Sequence, residues 1–497
     1  MRVHQSKEKV DMMMTNNILV KNVTFQYDTM MQPIFKDLQL NIHENWKLGL
    51  VGRNGRGKTT FFKLLLNELA YEGTIQTHLM FTYFPTYPDT QRTVLAIFEE
   101  AEIWEIEREL ALMDLPTSIL NKPFGVLSGG EQIKILLIAL FLNEHAFPLI
   151  DEPTNNLDLH GRKIVSNYLK SKKGFIVISH DESFLNECID HILAINKASI
   201  DLIKGDIATW KYEKANADRL TEEMNTQLKG EIKRLDAVAK RVSDWGTRKE
   251  QSSNDAAARR TAAKHMKRSK AIKKRTEVLI EEKVSLIDNI EKPAELKMHV
   301  AQPKKQLLFF RDFTILRDGV PLFKPITVDV YPNERFFIEG ENGAGKSTLL
   351  KFILGVESFD TAGDYRIHLP ENTSIFHQNS ADNVNYLAIV DELTKGEREE
   401  YWHMLRQLGI ERSKFTDRTS ATWSAGQAKK AFLAKALLRQ NAVFAWDEVT
   451  NHLDLFVIDQ LIAAIQKYEP TMISIDHNGH YVDAIATKKI QLIKEDK

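Results

Sequence analysis

Four short patterns occur twice in this 497-residue chain, in one order and at nearly one separation. Lys58 and Lys346 are 288 apart, Ser128 and Ser424 296, Asp151 and Asp447 296, and His180 and His477 297. A whole domain has therefore been duplicated, and the length accommodates two such domains, each with its own core. In both copies an apolar segment (WKLGLV, RFFIE) runs into a Gly-rich turn; in the first, the helical run FFKLLLNEL follows. The fold class expected is α/β.

The turns, Gly52–Thr59 and Gly340–Ser347, fit G-x-x-x-x-G-K-[ST]. Glycines let backbone N–H groups converge on phosphate oxygens, and the following helix N-terminus adds partial positive charge. The P-loop residues Gly52, Arg53, Asn54, Gly55, Arg56, Gly57, Lys58, Thr59 and Thr60 are thus expected to bind ATP. So are Gly340, Glu341, Asn342, Gly343, Ala344, Gly345, Lys346, Ser347 and Thr348. Each lysine would reach the β- and γ-phosphates, with Thr59 or Ser347 on Mg²⁺. LSGGE (Leu127–Glu131) opens a further helix, and its counterpart is SAGQ. The apolar runs PLIDEP and VFAWDE end in paired carboxylates. Asp151 and Asp447 would hold Mg²⁺, and Glu152 and Glu448 would polarise the attacking water. NNLD and NHLD follow, and then His180 and His477 at the ends of apolar runs. A lone histidine there is more often structural, but its place in this order makes it a catalytic candidate.

Between the copies, residues 229–275 hold sixteen Lys or Arg against five Asp or Glu, in a chain whose overall balance is −1. Met224, Leu228, Ile232, Leu235, Val238 and Val242 recur at helical steps of three and four. The pattern predicts two antiparallel helices of about 35 residues each, roughly 50 Å long at ~1.5 Å per residue, with a tip at Trp245–Ala258. A spacer would usually mix charge signs; one-sided charge suits a surface that lies against phosphates. No apolar run of 18 residues is present, so no membrane-spanning segment is expected. A single cysteine, Cys188, excludes an intrachain disulfide and fits a reducing compartment. About the first 14 residues lack an apolar signal core and are expected to be disordered.

P-loop, LSGGE, apolar-DE, NxLD and His, in that order and twice over, resemble the ATP-binding cassette family. Two cassettes joined by a long helical hairpin resemble its ABC-F subfamily of ribosome-associated ATPases. NWKLGLVGRNGRGKTT, AFPLIDEPTN and HMKRSKAI look like the Lsa-type antibiotic resistance proteins. The resemblance implies two P-loop NTPase cassettes, 1–210 and 301–497, joined by a hairpin at 211–300. It implies a head-to-tail cassette dimer within one monomeric chain. Each ATP would lie between one P-loop and the opposite signature: Lys58 with Ser424 and Gly426, Lys346 with Ser128, Gly129 and Gly130. Tyr27 takes the place of the adenine-stacking aromatic, and Arg317 stands at the equivalent place. Gln378 would contact Mg²⁺ or water in the second half, where the first half has Thr86. With Ala425 and Gln427 replacing Gly129 and Glu131, the two ATP sites are expected to be unequal, the Lys58 site being slower. The implied protein is cytoplasmic and ribosome-associated. It would use ATP and Mg²⁺, contact large-subunit rRNA and also P-site tRNA, and protect bacterial ribosomes from lincosamide-, streptogramin A- and pleuromutilin-type drugs. Trp245, Thr247 and Arg248 would act at the tip, and Lys267, Arg268, Lys270, Lys273 and Lys274 on phosphates. The alternatives are a housekeeping factor acting on stalled ribosomes, an exporter motor subunit lacking its membrane domain, and a DNA-repair or chromosome-type ATPase.

Overall fold

The computed structural model describes residues 17–28, 33–98, 101–143, 146–155, 157–196, 200–251, 267, 272, 274–275, 295–377, 386–410 and 425–495. Among the expected site residues, Arg268, Lys270, Lys273, Gln378 and Ser424 lie outside them, as do the first 14 residues. The chain divides into two compact units, one of residues up to 207 and from 293 onward, the other of residues 208–292.

The first unit contains both copies of the duplication. In the first copy, β1 (Asn17–Phe25), β2 (Phe35–His43) and β4 (Glu72–Gln76) form an antiparallel sheet ordered β2-β1-β4. The strands β3 (Lys47–Gly52), β5 (Met80–Phe84), β6 (Ala146–Asp151), β7 (Phe175–Ile178), β8 (His191–Ile195) and β9 (Ile200–Lys204) form a second sheet. Its order is β5-β6-β7-β3-β8-β9, parallel except for β9. The runs FIVI and HILAI are wholly buried, as strands covered on both faces must be. In the second copy, β10 (Leu308–Arg317) pairs antiparallel with β11 (Val320–Pro321), β12 (Ile326–Val330) and β14 (Asp360–Ile367). A parallel sheet follows the order β15-β16-β17-β13-β18, made of β13 (Arg335–Gly340), β15 (Thr373–Phe376), β16 (Val443–Asp447), β17 (Met472–Ile475) and β18 (Lys488–Leu492).

Parallel neighbours require crossovers, so every parallel strand of each central sheet points its C-terminal end to the same edge. That edge collects the chemistry. Asp151, at the end of β6, pairs with Ile178, at the end of β7, and β7 pairs in turn with the P-loop strand β3. The register also equates the halves: Phe84 faces Ile150 just before Asp151, and Phe376 faces Trp446 just before Asp447. Thr86 therefore occupies, in sequence, the place of Gln378, two residues beyond the strand.

The second unit carries a helix, Ile207–Gln251, of 45 residues. It is longer than the expected 35, about 68 Å at ~1.5 Å per residue, and it continues past Trp245. The backbone of Trp245, Thr247 and Arg248 is thus helical rather than part of a turn. In GTRKEQ Gly246 opposes helix by about 1 kcal/mol and Thr247 more weakly, while Arg, Lys, Glu and Gln favour it. The covered stripe is Thr221, Asn225, Leu228, Ile232 and Leu235. Met224, read from the sequence as part of that stripe, is 63% exposed; Asn225, one residue on, keeps the 4-3-4-3 spacing and is buried instead. Lys267 and Lys274 are helical and exposed.

Candidate active site

In each P-loop the glycine before the lysine holds a conformation that disfavours any side chain. Gly57 and Gly345 cap the helices Lys58–Leu65 and Lys346–Ile353 at φ 97° and 91°. A Cβ there would lie 2.6 Å from Ile34 Cγ2 or from Leu322 Cδ2, so strain and collision coincide. The turn closes around its lysine. Lys58 Nζ donates to Gly52 O (2.7 Å) and Asn54 Oδ1 (3.1 Å), and Lys346 Nζ donates to Gly340 O (2.7 Å) and Glu341 O (2.9 Å). Burial lowers the pKa of both ammonium groups, opposed first by Asp454 at Lys58 and by Asp158 at Lys346. The hydroxyl of Thr59 donates to Asp151 Oδ2 at 3.2 Å, and that of Ser347 to Asp447.

The two copies meet head to tail. Across the junction Asn54 N donates to Asp454 Oδ2 and Asn342 N to Asp158 Oδ2, both at 3.0 Å. Asn54 Nδ2 donates to His452 O (3.0 Å), and the Arg53 guanidinium stands 5.7 Å over the Phe456 ring. Asn478 Nδ2 donates to His180 O at 3.4 Å. A cavity of about 1160 Å³ opens between the Lys346 P-loop and the signature Ser128, Gly129 and Gly130, with Glu448, His477 and the exposed Arg317 on its wall. At the other P-loop, Gly426 comes so close that a Cβ would lie 2.8 Å from His452 O and 3.1 Å from Asn54 Nδ2. Tyr27 is half-buried there, its hydroxyl 3.2 Å from Thr60 Oγ1 and its ring edge-on to Phe25.

The carboxylates at the strand ends share one geometry. Glu152 and Glu448 adopt φ 52° and 51°, a left-handed conformation of the sort stored at functional sites. Their N–H groups donate to Ile178 O and Ile475 O. His180 Nε2 lies 3.2 Å from Glu152 Oε1, and His477 Nε2 3.7 Å from Glu448 Oε1. Burial, then the neighbouring Asp151, pushes Glu152 up to about 8, while burial drives His180 well below its ordinary value and His477 to about 3. Burial also raises Asp151, Asp447 and Glu448. The hydroxyl–carboxylate pairs Thr59–Asp151 and Ser347–Asp447 offer hard oxygen donors, and Asp447 Oδ1 has no hydrogen-bond partner among the described residues. This donor set fits Mg²⁺.

Several residues in the site were not singled out from sequence. Asp158 and Asp454 lie in the repeated NxLD motif, which was the available signal. Lys430 forms a buried pair with Asp454 at 2.8 Å. Burial pushes the Asp454 carboxyl up, but Lys430, Lys58 and the Asn54 N–H overcome this and hold it well below the carboxylate range. Tyr83 donates its hydroxyl to Asp151 Oδ2 at 3.2 Å, and Lys429 donates to Glu448 O. Neither has a counterpart of its own type in the other half: Ile375 and Ile133 take those places.

The ABC transporter family model matches residues 35–155 and 323–451, together just over half of the chain. Ribosome protection protein VmlR of Bacillus subtilis is 26% identical over 496 residues, covering 95% of this chain and 86% of that protein. ATP-binding protein Uup of Escherichia coli is 25% identical, covering 92% of this chain and 77% of its own length. In fold, the chain is similar to a crystal structure of the complex of archaeal ribosomal stalk protein aP1 and archaeal ribosome recycling factor aABCE1. The TM-score is 0.61 at 18% identity, covering 95% of this chain and 87% of that one. Among the described residues no helix is long and apolar enough to cross a membrane. With two copies of the matched domain closing on one another's P-loops, the chain belongs to the ABC transporter family, as a twin-cassette protein.

Proposed function

We propose that this protein is an ATP-hydrolysing, ribosome-binding factor that protects bacterial ribosomes from drugs acting at the peptidyl-transferase region. The observation that carries the reading is the paired composite site. A P-loop of one cassette faces the signature or the NxLD turn of the other, in a chain whose residues 229–275 hold sixteen Lys or Arg against five Asp or Glu. The family match supports ATP hydrolysis, and the name of VmlR supports ribosome protection.

In this reading Lys58 and Lys346 leave their P-loop carbonyls for the β- and γ-phosphates. Ser128 and the helix N-terminus at Gly129–Gly130 approach the γ-phosphate at Lys346, so ATP, and not ADP, holds the cassettes together. Thr59 with Asp151, and Ser347 with Asp447, would hold Mg²⁺, which supplies charge neutralisation at the phosphates. Glu152 and Glu448 orient the attacking water and accept its proton, each set by its histidine. Loss of the γ-phosphate separates the cassettes and releases the ribosome. The drug is displaced through rRNA or tRNA geometry and is not modified.

The test has two arms. E152Q/E448Q, which keeps the donors but removes the base, should cosediment with ribosomes in ATP at least severalfold better than the unmodified chain. Equal binding would overturn release by hydrolysis. The wild-type chain should raise the resistance of a sensitive strain to lincosamides, streptogramin A or pleuromutilins. ATP-binding protein Uup, whose name carries no resistance function, matches almost as well as VmlR, so a second reading, a housekeeping factor on stalled ribosomes, stands beside the first. Ribosome binding without any resistance selects it.

A further inference from the structure

The two catalytic turns have the same backbone but different supports. In the first cassette the turn after β6 rests on neutral groups. Thr154 Oγ1 lies 3.1 Å from Ser179 Oγ, and Ser179 Oγ accepts the N–H of Asp181 at 3.2 Å. In the second cassette the residue at Ser179's place is Asp476. Its carboxylate accepts the Thr450 hydroxyl (2.5 Å), the Thr450 N–H (3.1 Å) and the Asn478 N–H (2.9 Å). From the opposite side Lys429, 2% exposed, donates its ammonium to the carbonyl of Glu448. Lys429 is the fifth residue of the helix Ala425–Leu438; the fifth residue of the matching helix Gly129–Leu142 is Ile133. Among the described residues, the first cassette gives the Glu152 carbonyl only a long bond from Asn155 N, 3.4 Å.

A buried lysine and a buried aspartate therefore appear together on the two sides of one turn, and an isoleucine and a serine appear together on the other. The two charges attract one another, and burying either alone would be costly. What they hold is Glu448, a residue in a left-handed conformation that relaxes unless its surroundings over-determine it.

We propose that Lys429 and Asp476 are positioning residues that clamp the catalytic turn Asp447–Thr450, making the ATP site built on Lys346 the one that carries most of the turnover. The inference rests on the reading of Glu448 as the base for that site. Neither residue touches nucleotide in this scheme. Each acts on the backbone that aims Glu448, and a small misplacement of a catalytic group is enough to slow the chemical step.

The test uses the full-length chain and steady-state ATPase, with nucleotide affinity read separately from a fluorescent ATP analogue. K429M should lower kcat severalfold, toward the rate of the untouched Lys58 site alone, while KM and analogue affinity stay within about twofold. K429R, which keeps a buried cation able to donate to the Glu448 carbonyl, should restore at least half of the activity. D476S, which copies the first cassette, should lower kcat in the same manner and serves if K429M fails to fold. Unchanged kcat in both K429M and D476S overturns the clamp. So does a loss that K429R does not rescue, or one that raises KM in step with the fall in kcat; those mark a packing role. E448Q is the control on the underlying reading: if it retains full activity, Glu448 is not the base, whereas an E448Q that has lost most of its activity beside a fully active K429M sinks the clamp alone.

Discussion

At the residue scale the site is governed by burial of ionisable groups, and this makes the nucleotide-free protein sensitive to pH in two directions. Glu152 titrates near 8 when folded and near 4.5 when unfolded, so across that interval the folded chain holds a proton that the unfolded chain has lost. Stability therefore falls as pH rises from about 4.5 to 8. His180 and His477 are depressed bases. Below about 6.5 the unfolded chain takes up protons that the folded chain refuses, and stability falls as pH falls. Of these three groups only Glu152 acts between 6.5 and 8. In the absence of ATP and Mg²⁺, the wild-type Tm should drop over that interval, by the equivalent of about 1–2 kcal/mol. E152Q should drop clearly less. Parallel curves for the two proteins would contradict the raised Glu152. The strained φ at Glu152 and Glu448 is a second residue-scale property, invisible in the letters DE because it depends on the strand end from which each turn departs.

At the scale of elements, what was legible depended on whether the signal was local. Each Gly-rich loop could be read because the strand, turn and helix that make it are consecutive. Tyr83 could not, since its hydrogen bond to Asp151 depends on which face of β5 meets β6. Lys429 stands among other lysines in KKAFLAKAL, and only the depth of its helix shows it to be buried. The long helix runs on through the expected start of the tip because Arg248, Lys249, Glu250 and Gln251 favour helix beyond Gly246 and Thr247, and Met224 lies one position off the covered stripe. The charge of the segment remains its main functional signal. Neutralising Lys267, Arg268, Lys270, Lys273 and Lys274 should weaken ribosome binding and lower its log–log salt slope by about 0.7–0.9 for each phosphate no longer neutralised. An unchanged slope would remove phosphate binding from this segment. Alanine at Trp245, Thr247 and Arg248 should abolish drug resistance and leave ATPase activity intact. Should resistance survive both that change and deletion of residues 246–256, action through this end of the helix is excluded.

At the scale of the whole molecule the cassettes are joined by two carboxylates whose partners lie 400 and 184 residues away in sequence, which is why the repeated NxLD motif announced itself without disclosing what it touched. Asp158 caps its own helix through the Gly161 N–H, and Asp454 does so through the Val457 N–H. Each sends its second oxygen to the other cassette's P-loop. D158A and D454A should each cost about 1 kcal/mol or more from the lost cap alone. Each should also weaken ATP binding at both sites rather than one; an effect confined to one site would show that the junction does not transmit. The double duty of these side chains makes them the grammar of agreement between the halves. Whatever nucleotide at one loop gains from seating the far aspartate, the far loop must return in equal measure. A poison that occupied a single loop would thereby speak for the entire molecule.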